Sequence, residues 1–331
     1  GPNGSISGKI IQTINHGADA EAVSAIPNTG YHFLNWTGSA TSIDNPLTVK
    51  NVTSNMNFTA NFEINSYTVI FITDGTPGAT LSGEPTQIVT HGSNCSAVTA
   101  NAPVGYDFIK WNINGTDSTD NPITMKNVTS NMTVTANFKI KTYTVTFNAG
   151  ANGMLEGETS QLINHGSKTS PVTAVPDTGY HLLDWTGSVA SAENPLIITN
   201  VTSDMTVTAN FKINTYTVNF QTDGTPGAIL NGETTQTVTH GSNCTTVSVT
   251  VPAGFYFAKW KTAQARDYSI DNPVTAKNVT SDMTLIASFV QIPAGKYVVV
   301  FFSTINGTIT GETTQFIDPN GSTSAVTAVP D

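Results

Sequence analysis

The sequence is poor in charged side chains and contains no long apolar run. Lys, Arg, Asp and Glu together make up 11% of its 331 residues, compared with about 25% in an average soluble domain. The net charge is −10 and only 13 residues are Lys or Arg. This argues against a nucleic-acid partner, because such binding needs clustered positive charge. No apolar stretch approaches the roughly 20 residues of a membrane-spanning helix, so we expect no membrane span in this segment either.

The combinations of residues that carry catalysis or bind cofactors are also missing. The sequence contains no C-x-x-C metal or haem motif, no phosphate-binding glycine loop and no set of histidines with metal-ligand spacing. We therefore predict that the protein is not an enzyme and has no catalytic residue, no cofactor and no metal ion.

The most prominent feature that is present is a repeat. Four tryptophans follow one another at steps of 75, 74 and 75 residues, and each lies five residues after an aromatic residue preceded by glycine. The tryptophans are Trp36, Trp111, Trp185 and Trp260, and the preceding aromatic residues are Tyr31, Tyr106, Tyr180 and Phe255. A His-Gly pair recurs at the same steps, at His16, His91, His165 and His240. Because the same groups recur along the chain, no single place gathers the dissimilar groups of an active site.

The repeats alternate between two types, A and B. The first and third share Trp-Thr-Gly-Ser, whereas the second and fourth share Thr-Asp-Gly-Thr-Pro-Gly-Ala. A unit of about 75 residues can bury a modest core of its own, so we predict four small domains and a partial fifth. Their ranges are 1–64 (A, without its first strand), 65–140 (B), 141–213 (A), 214–291 (B) and 292–331 (partial A). Links of three or four residues would join them as beads on a stiff rod.

The alternation of apolar and polar residues predicts a mainly β fold. In residues 132–138 every second residue is apolar and polar residues, mostly threonine, lie between, which is typical of a half-buried strand. Residues 150–153 and 165–166 are predicted hairpin turns, and Asn-Pro at 194–195 is predicted to open a strand at 196–198. No window shows a clean helical period. We therefore expect five or six short, mainly antiparallel strands per repeat.

The order of these motifs resembles a known family. Each repeat runs through His-Gly, Gly-aromatic-x-x-x-x-Trp, Asn-Pro and a closing segment such as Val-Thr-Ser-Asn-Met-Thr-Val-Thr-Ala-Asn-Phe. This order resembles the divergent internalin-type B-repeat of bacterial surface proteins, unit by unit over essentially the whole chain. The resemblance implies a small β-grasp-like module from extracellular arrays of adhesins and cell-wall proteins. It brings no catalytic residues with it.

The repeated aromatic residues and histidines each have two interpretations. The tryptophans and the aromatic residues before them are interpreted as core, because a unit this small needs a large aromatic side chain to fill it. The alternative is a row of platforms on which sugars stack. The histidines are interpreted as turn residues rather than metal ligands, since each stands alone in its repeat and zinc needs three or four donors.

Only two cysteines are present, Cys95 and Cys244, at equivalent places in the two B repeats. Neither has a partner within its repeat, so a disulfide inside a repeat is excluded. We interpret them as free or buried thiols, with a disulfide between neighbouring molecules as the alternative.

The two ends of the array lead to a hypothesis about assembly. The first repeat lacks the first strand of the others, whereas the partial repeat supplies one at Tyr297, Val298, Val299, Val300, Phe301 and Phe302. A missing strand and a surplus strand are what head-to-tail donor-strand assembly into a filament requires. We therefore expect an extracellular or cell-surface structural protein whose partners are copies of itself or neighbouring repeats of a longer chain. The alternative is an adhesin stalk or surface module that binds a cell-surface glycan or protein.

Overall fold

The computed structural model describes residues 1–303 and 307–330, and the regular elements within them are all β-strands. The expected tandem array of small, mainly β units is therefore confirmed. None of the described segments forms a helix that is long and apolar enough to cross a membrane.

The strands follow the repeats along the chain. The first repeat holds β1 (Gly4–Ser7), β2 (Ser24–Pro27), β3 (Tyr31–Gly38) and β4 (Phe58–Ile64). The second holds β5 (Ser66–Thr73), β6 (Thr80–Ser82), β7 (Thr86–Thr90), β8 (Thr99–Asn101), β9 (Tyr106–Ile113), β10 (Thr116–Ser118) and β11 (Met132–Ile140). The third holds β12 (Thr142–Ala149), β13 (Gly153–Glu156), β14 (Ser160–Asn164), β15 (Thr173–Pro176), β16 (Tyr180–Gly187) and β17 (Met205–Ile213).

The fourth repeat holds β18 (Thr215–Thr222), β19 (Ile229–Asn231), β20 (Thr235–Thr239), β21 (Ser248–Thr250), β22 (Phe255–Thr262), β23 (Asp267–Ser269) and β24 (Met283–Gln291). The partial repeat holds β25 (Tyr297–Val300), β26 (Gly307–Thr310), β27 (Thr314–Ile317) and β28 (Thr327–Pro330).

Each complete repeat is built around one mixed sheet. In the second repeat the strand order is β10-β9-β11-β5-β7. Its first and last strands, β5 and β11, lie side by side in parallel with Val69 opposite Met132, and the other neighbours are antiparallel. The fourth repeat has the corresponding order β20-β18-β24-β22-β23. In the third, β12 and β17 form the parallel pair. The sheets are thus mainly antiparallel, with one parallel pair per complete repeat.

A second, two-stranded sheet lies against the first in the second repeat. β6 and β8 pair with each other, and Leu81 and Ala100 on these strands pack into the same apolar core as Val69 and Trp111. Trp111 is 0% exposed. Its ring meets that of Phe71 edge-on at 5.9 Å, an arrangement that aromatic pairs favour. The core therefore sits between the two sheets, as in most two-layer domains.

The predicted hairpin turns were wrong. β13 pairs with β15 and β12 belongs to the larger sheet, so residues 150–153 lead from one sheet to the other. Residues 165–166 likewise separate β14 and β15, which lie in different sheets. Alternating polarity predicts which face of a strand is buried but does not determine its partner.

The predicted strand at residues 196–198 is reduced to a single bridge between Val172 and Leu196. The side-chain amide of Asn194 takes over the pairing instead. Its Oδ1 accepts a hydrogen bond from the Ala174 amide at 2.8 Å, and its Nδ2 donates to the Ala174 carbonyl at 2.8 Å. The asparagine before the proline thus acts as a short edge partner for β15, and the proline prevents a regular ladder there.

The described chain packs into two compact units. One comprises residues 1–143, 162–168 and 199–204, and the other comprises residues 144–161, 169–198 and those from 205 onward. The five predicted domain ranges stay a prediction. The sheet of the second repeat, for example, is built from strands within residues 66–140.

Truncation of a core tryptophan should destabilise its repeat. We expect Trp111→Ala to lower the free energy of unfolding of the second repeat by about 3–5 kcal/mol, because it removes a fully buried ring. Hydrogen–deuterium exchange of β9 and β11 in the full chain measures this locally. The matched control is Ile88→Ala, whose side chain is 74% exposed and should change stability by less than about 0.5 kcal/mol. Equal losses in the two variants would contradict the described packing.

Candidate functional site

Asp74 and Asp223 have lowered pKa values because their carboxylates accept hydrogen bonds within the fold. Burial of Asp74 tends to raise the pKa of its carboxyl group, but hydrogen bonds from Phe138 and Thr76 outweigh burial and lower it. The two amides lie 2.9 Å and 3.0 Å from its carboxylate oxygens, so Asp74 ties a turn to β11. Asp223 makes the corresponding bond to Phe289. Among the described residues no group of three His, Cys, Asp or Glu side chains could hold a metal ion.

The candidate functional geometry lies instead at the joints between repeats. The first four repeats are linked by single residues between strands, not by the three or four that the sequence predicted: Asn65, Lys141 and Asn214. The amide of Asn65 donates to the Gly30 carbonyl of the preceding repeat at 2.8 Å, and its carbonyl accepts from the His91 amide of the following repeat at 2.8 Å. Both neighbouring repeats thus hold the linker residue by its backbone.

The same pair of hydrogen bonds recurs at the next two joints. The Lys141 amide donates to the Gly105 carbonyl at 2.8 Å and its carbonyl accepts from His165 at 2.9 Å. The Asn214 amide donates to the Gly179 carbonyl at 2.8 Å, and its carbonyl accepts from His240 at 2.9 Å. Three joints therefore share one backbone clamp, consisting of a glycine carbonyl, a single linker residue and a histidine amide.

The histidine ring completes each joint. A Cβ atom added to Gly30 would overlap the ring of His91, and the pairs Gly105–His165 and Gly179–His240 repeat this contact. The three glycines have φ of +83°, +81° and +84°, a conformation that favours glycine. The histidines are therefore more than turn residues, because each packs its ring on the backbone of the preceding repeat.

Polar side chains differ between the two kinds of joint. Where an A repeat meets a B repeat, a histidine bonds the linker asparagine: His32 Nδ1 lies 2.9 Å from Asn65 Oδ1, and His181 Nδ1 lies 2.6 Å from Asn214 Oδ1. Where the second repeat meets the third, Lys141 forms an exposed ion pair with Asp107 at 3.3 Å. The A–B alternation of the sequence thus extends to the joints.

The joint to the partial repeat keeps only part of this arrangement. The Ile292 amide donates to the Gly254 carbonyl at 2.7 Å. However, Pro319 takes the position of the histidine in the sequence pattern, and apart from its chain neighbours no described residue lies within 4 Å of a Cβ placed on Gly254. This joint therefore lacks the ring contact of the other three.

A second candidate site is an open groove of about 670 Å³ in the first repeat. Its lining includes Ile14, Trp36, Leu47, Met56 and Phe58. In the later repeats the first strand lies beside the last strand at the corresponding place. The segment that would pair with it, residues 9–15, forms no strand. Its residues Ile10 and Ile11 are 72% and 82% exposed.

The predicted donor strand is partly engaged within its own chain. Tyr297–Val300 forms β25 and pairs antiparallel with β27, while Phe301 and Phe302 lie beyond the strand. Tyr297 is 62% exposed and Phe302 is 56% exposed. The first strands of complete repeats have a parallel neighbour on their other edge, and β25 has none among the described residues.

The predicted core aromatic residues differ in burial. The four tryptophans are exposed by 0–1%, so they present no ring face on which a sugar could stack. The aromatic residues before them, Tyr31, Tyr106, Tyr180 and Phe255, are half-buried at the starts of β3, β9, β16 and β22.

Both cysteines are free and buried, with Cys95 5% exposed and Cys244 6% exposed. Each belongs to the apolar core of its repeat. Burial raises the pKa of both thiols, which keeps them in the protonated, poorly nucleophilic form at neutral pH. The disulfide between molecules stays a prediction, and it would require these thiols to leave the core.

Comparison with known proteins agrees with the repeat geometry. The family model described as the divergent InlB B-repeat domain matches residues 1–66, 68–142 and 143–215, and that of the Listeria-Bacteroides repeat domain matches residues 216–288. Among solved structures, the Bacillus anthracis TIE protein is similar at 10% identity and a TM-score of 0.29, over 82% of this chain and 60% of its own length. The chain thus spans about 60% of the length of that protein. No curated protein was found to match.

The buried thiols should react slowly in the folded chain. At pH 7–8 we expect Cys95 and Cys244 to be modified by a thiol reagent at least about tenfold more slowly than in the denatured chain, because they are buried and protonated. Mass spectrometry of the labelled chain measures both rates. Labelling at the denatured rate, or a dimer band on a non-reducing gel of the folded protein, would show that the thiols are accessible.

Proposed function

Because the chain belongs to the divergent InlB B-repeat family, we propose that it serves outside the bacterial cell as a structural array of repeats that sets a fixed distance. The backbone clamp shared by three joints carries this proposal. A spacer must resist bending between its units, and one linker residue bonded on both sides leaves little freedom for that motion. The histidine ring on glycine adds a packed contact at the same point.

The surface composition supports the same role. Charged residues are 11% of the chain, so solubility depends on exposed Thr, Ser and Asn rather than on charge. The ion pair between Lys141 and Asp107 is exposed, and such pairs contribute little stability. The joints therefore rely on backbone hydrogen bonds and packing, which salt screens only weakly. An array of this kind would keep its geometry over a range of ionic strengths.

Substituting a joint glycine tests the proposed stiffness. We expect Gly105→Ala to disrupt the second joint, because its methyl group would overlap the His165 ring. Backbone strain adds to this effect, since φ is +81° and alanine disfavours that region. Amide exchange at Lys141 should become at least about tenfold faster, and electron micrographs should show a wider spread of particle lengths.

Gly254→Ala is the matched control. Its φ is +80°, so the backbone strain is the same, but apart from its chain neighbours none of the described residues lies within 4 Å of the added methyl group. The loss of protection at Ile292 should therefore be smaller than the loss at Lys141. Equal losses would mean that the histidine contact does not stabilise the joint, and unchanged particle lengths in Gly105→Ala would contradict the spacer.

A second candidate function is head-to-tail assembly into a filament, and the groove in the first repeat favours it. In this assembly the groove of one copy would receive the strand Tyr297–Val300 and the following Phe301 from another copy. An adhesin role, with a glycan or protein bound at loops, would use the same array without needing the groove.

Deleting residues 296–331 tests the filament. We expect the full chain to form concentration-dependent polymers in sedimentation velocity and electron microscopy, and the shortened chain to remain monomeric because it lacks the donor strand. Polymers that persist after the deletion would exclude this strand as the link. A full chain that stays monomeric at all concentrations would leave the spacer as the function.

A further inference from the structure

We propose that a cleft on the fourth repeat is a binding site for one or two units of an uncharged sugar. The cleft has a volume of about 460 Å³, and its lining includes Asn219, Gln264, Asp282 and Met283. Small-molecule sites in proteins have volumes of about 300–1,000 Å³, so the cleft is large enough for such a ligand. The site would give the adhesin candidate a ligand, whereas the spacer role does not depend on it.

The turn after β22 forms one wall of the cleft and is longer than its counterpart in the second repeat. The asparagine of the Asn-Pro pair follows the tryptophan by 12 residues in the fourth repeat and by 10 in the second. In the second repeat an Asn-Gly pair at 114–115 joins β9 and β10 in a tight hairpin. In the fourth, Ala263 and Gln264 of the longer turn line the cleft.

Two residues on the floor of the cleft are more buried than their counterparts in the second repeat. Asn219 lies opposite Thr284 in the parallel pair of the fourth repeat, and Ile70 lies opposite Thr133 in that of the second. Asn219 and Thr284 are half-buried and line the cleft, whereas Ile70 and Thr133 are exposed. The two B repeats therefore differ at this place in both shape and polarity.

Hydrogen bonds hold the longer turn in a defined conformation. The Thr262 amide donates to the Arg266 carbonyl at 2.8 Å, and the Ala265 amide donates to the Thr262 carbonyl at 2.9 Å. At the base of the turn Lys259 Nζ lies 2.6 Å from the Asp267 carboxylate. Ala265 has a φ of +61°, which alanine disfavours, and strain of this kind is concentrated at functional sites. A wall fixed in advance reduces the entropy that is lost when a ligand binds.

Two polar side chains of the lining are oriented by bonds within the repeat. Asp282 Oδ1 accepts a hydrogen bond from the Thr217 amide at 2.7 Å, and Asn219 Oδ1 accepts one from Thr235 Oγ1 at 3.0 Å. Among the described residues these bonds leave the second oxygen of Asp282 to accept, and the Nδ2 group of Asn219 to donate. Both are therefore placed to bond a ligand without rearrangement.

The chemistry of the lining favours an uncharged sugar. Amide and hydroxyl side chains line the cleft together with one carboxylate, that of Asp282, and the described lining contains neither Lys nor Arg. Sugar hydroxyl groups both donate and accept hydrogen bonds, so they match such a lining. An anionic ligand would be repelled by Asp282 with no cation to compensate. Met283 and Ala263 add apolar contact for the C–H groups of a sugar ring.

The probes are the methyl glycosides of glucose, galactose, mannose and N-acetylglucosamine, each titrated into the full chain. We expect at least one of them to shift the side-chain amide signals of Asn219 and Gln264 in heteronuclear NMR spectra. N-acetylneuraminic acid, which is anionic, should bind at least about tenfold more weakly. The absence of a shift with all the glycosides, or tighter binding of the anionic sugar, would overturn the proposal.

Two variants that copy the second repeat locate the site. Asn219→Ile introduces the residue found at Ile70 and should weaken glycoside binding by about tenfold, because the cleft loses an amide group. Gln221→Ile introduces the residue found at Ile72. It is the matched control, since Gln221 lies on the same face of β18 but outside the lining, and it should leave binding unchanged. The second repeat folds with isoleucine at both positions, so both variants should fold. Equal weakening in the two would overturn the assignment.

A third variant removes the wall of the cleft. Replacing residues 262–266 by the Ile-Asn-Gly-Thr of residues 113–116 restores the tight turn of the second repeat and should abolish the NMR shift of Asn219. A shift that persists in this variant would contradict the site. If none of the glycosides binds the unaltered chain, this site is overturned and the spacer still stands, because Gly105→Ala tests the spacer separately.

Discussion

The parallel pairing of first and last strands is the constraint on which the structure of a complete repeat depends. It joins residues far apart in sequence, and closing such a long loop costs conformational entropy. Burial of one valine and one phenylalanine from the first strand helps to offset that cost. Val69 and Phe71 are fully covered because β5 lies between β7 and β11. Without this strand β7 would be separated from β11, and the tryptophan would lose its edge-on partner Phe71.

The same strand also determines how one repeat is joined to the previous one. A single residue, Asn65, separates the end of β4 from the start of β5, so the strand that closes the second core follows directly after the joint. His91, which clamps that linker, follows β7, and β7 pairs with β5. Core and joint are therefore mechanically coupled, because displacement of β5 would move both.

The sequence alone was sufficient to predict the features that depend on a single strand. The alternation in residues 132–138 places β11, and the tryptophan spacing marks one buried ring per complete repeat. Which strands pair with each other could not be predicted, because the alternation of apolar and polar residues is the same in a hairpin and in a crossover between sheets. Residues 165–166 show this: the His-Gly pair has turn chemistry, yet the strands around it belong to different sheets.

The ring contact at the joints was missed for a related reason. The glycine that His165 covers is Gly105, which belongs to the preceding repeat. Both residues recur at steps of 75, 74 and 75, but equal spacing cannot show whether two residues meet within a repeat or across a joint. The partial repeat carries a usable signal, because Pro319 replaces the histidine there. A turn tolerates this exchange, but the structure shows that the contact between the histidine ring and the glycine is lost at that joint.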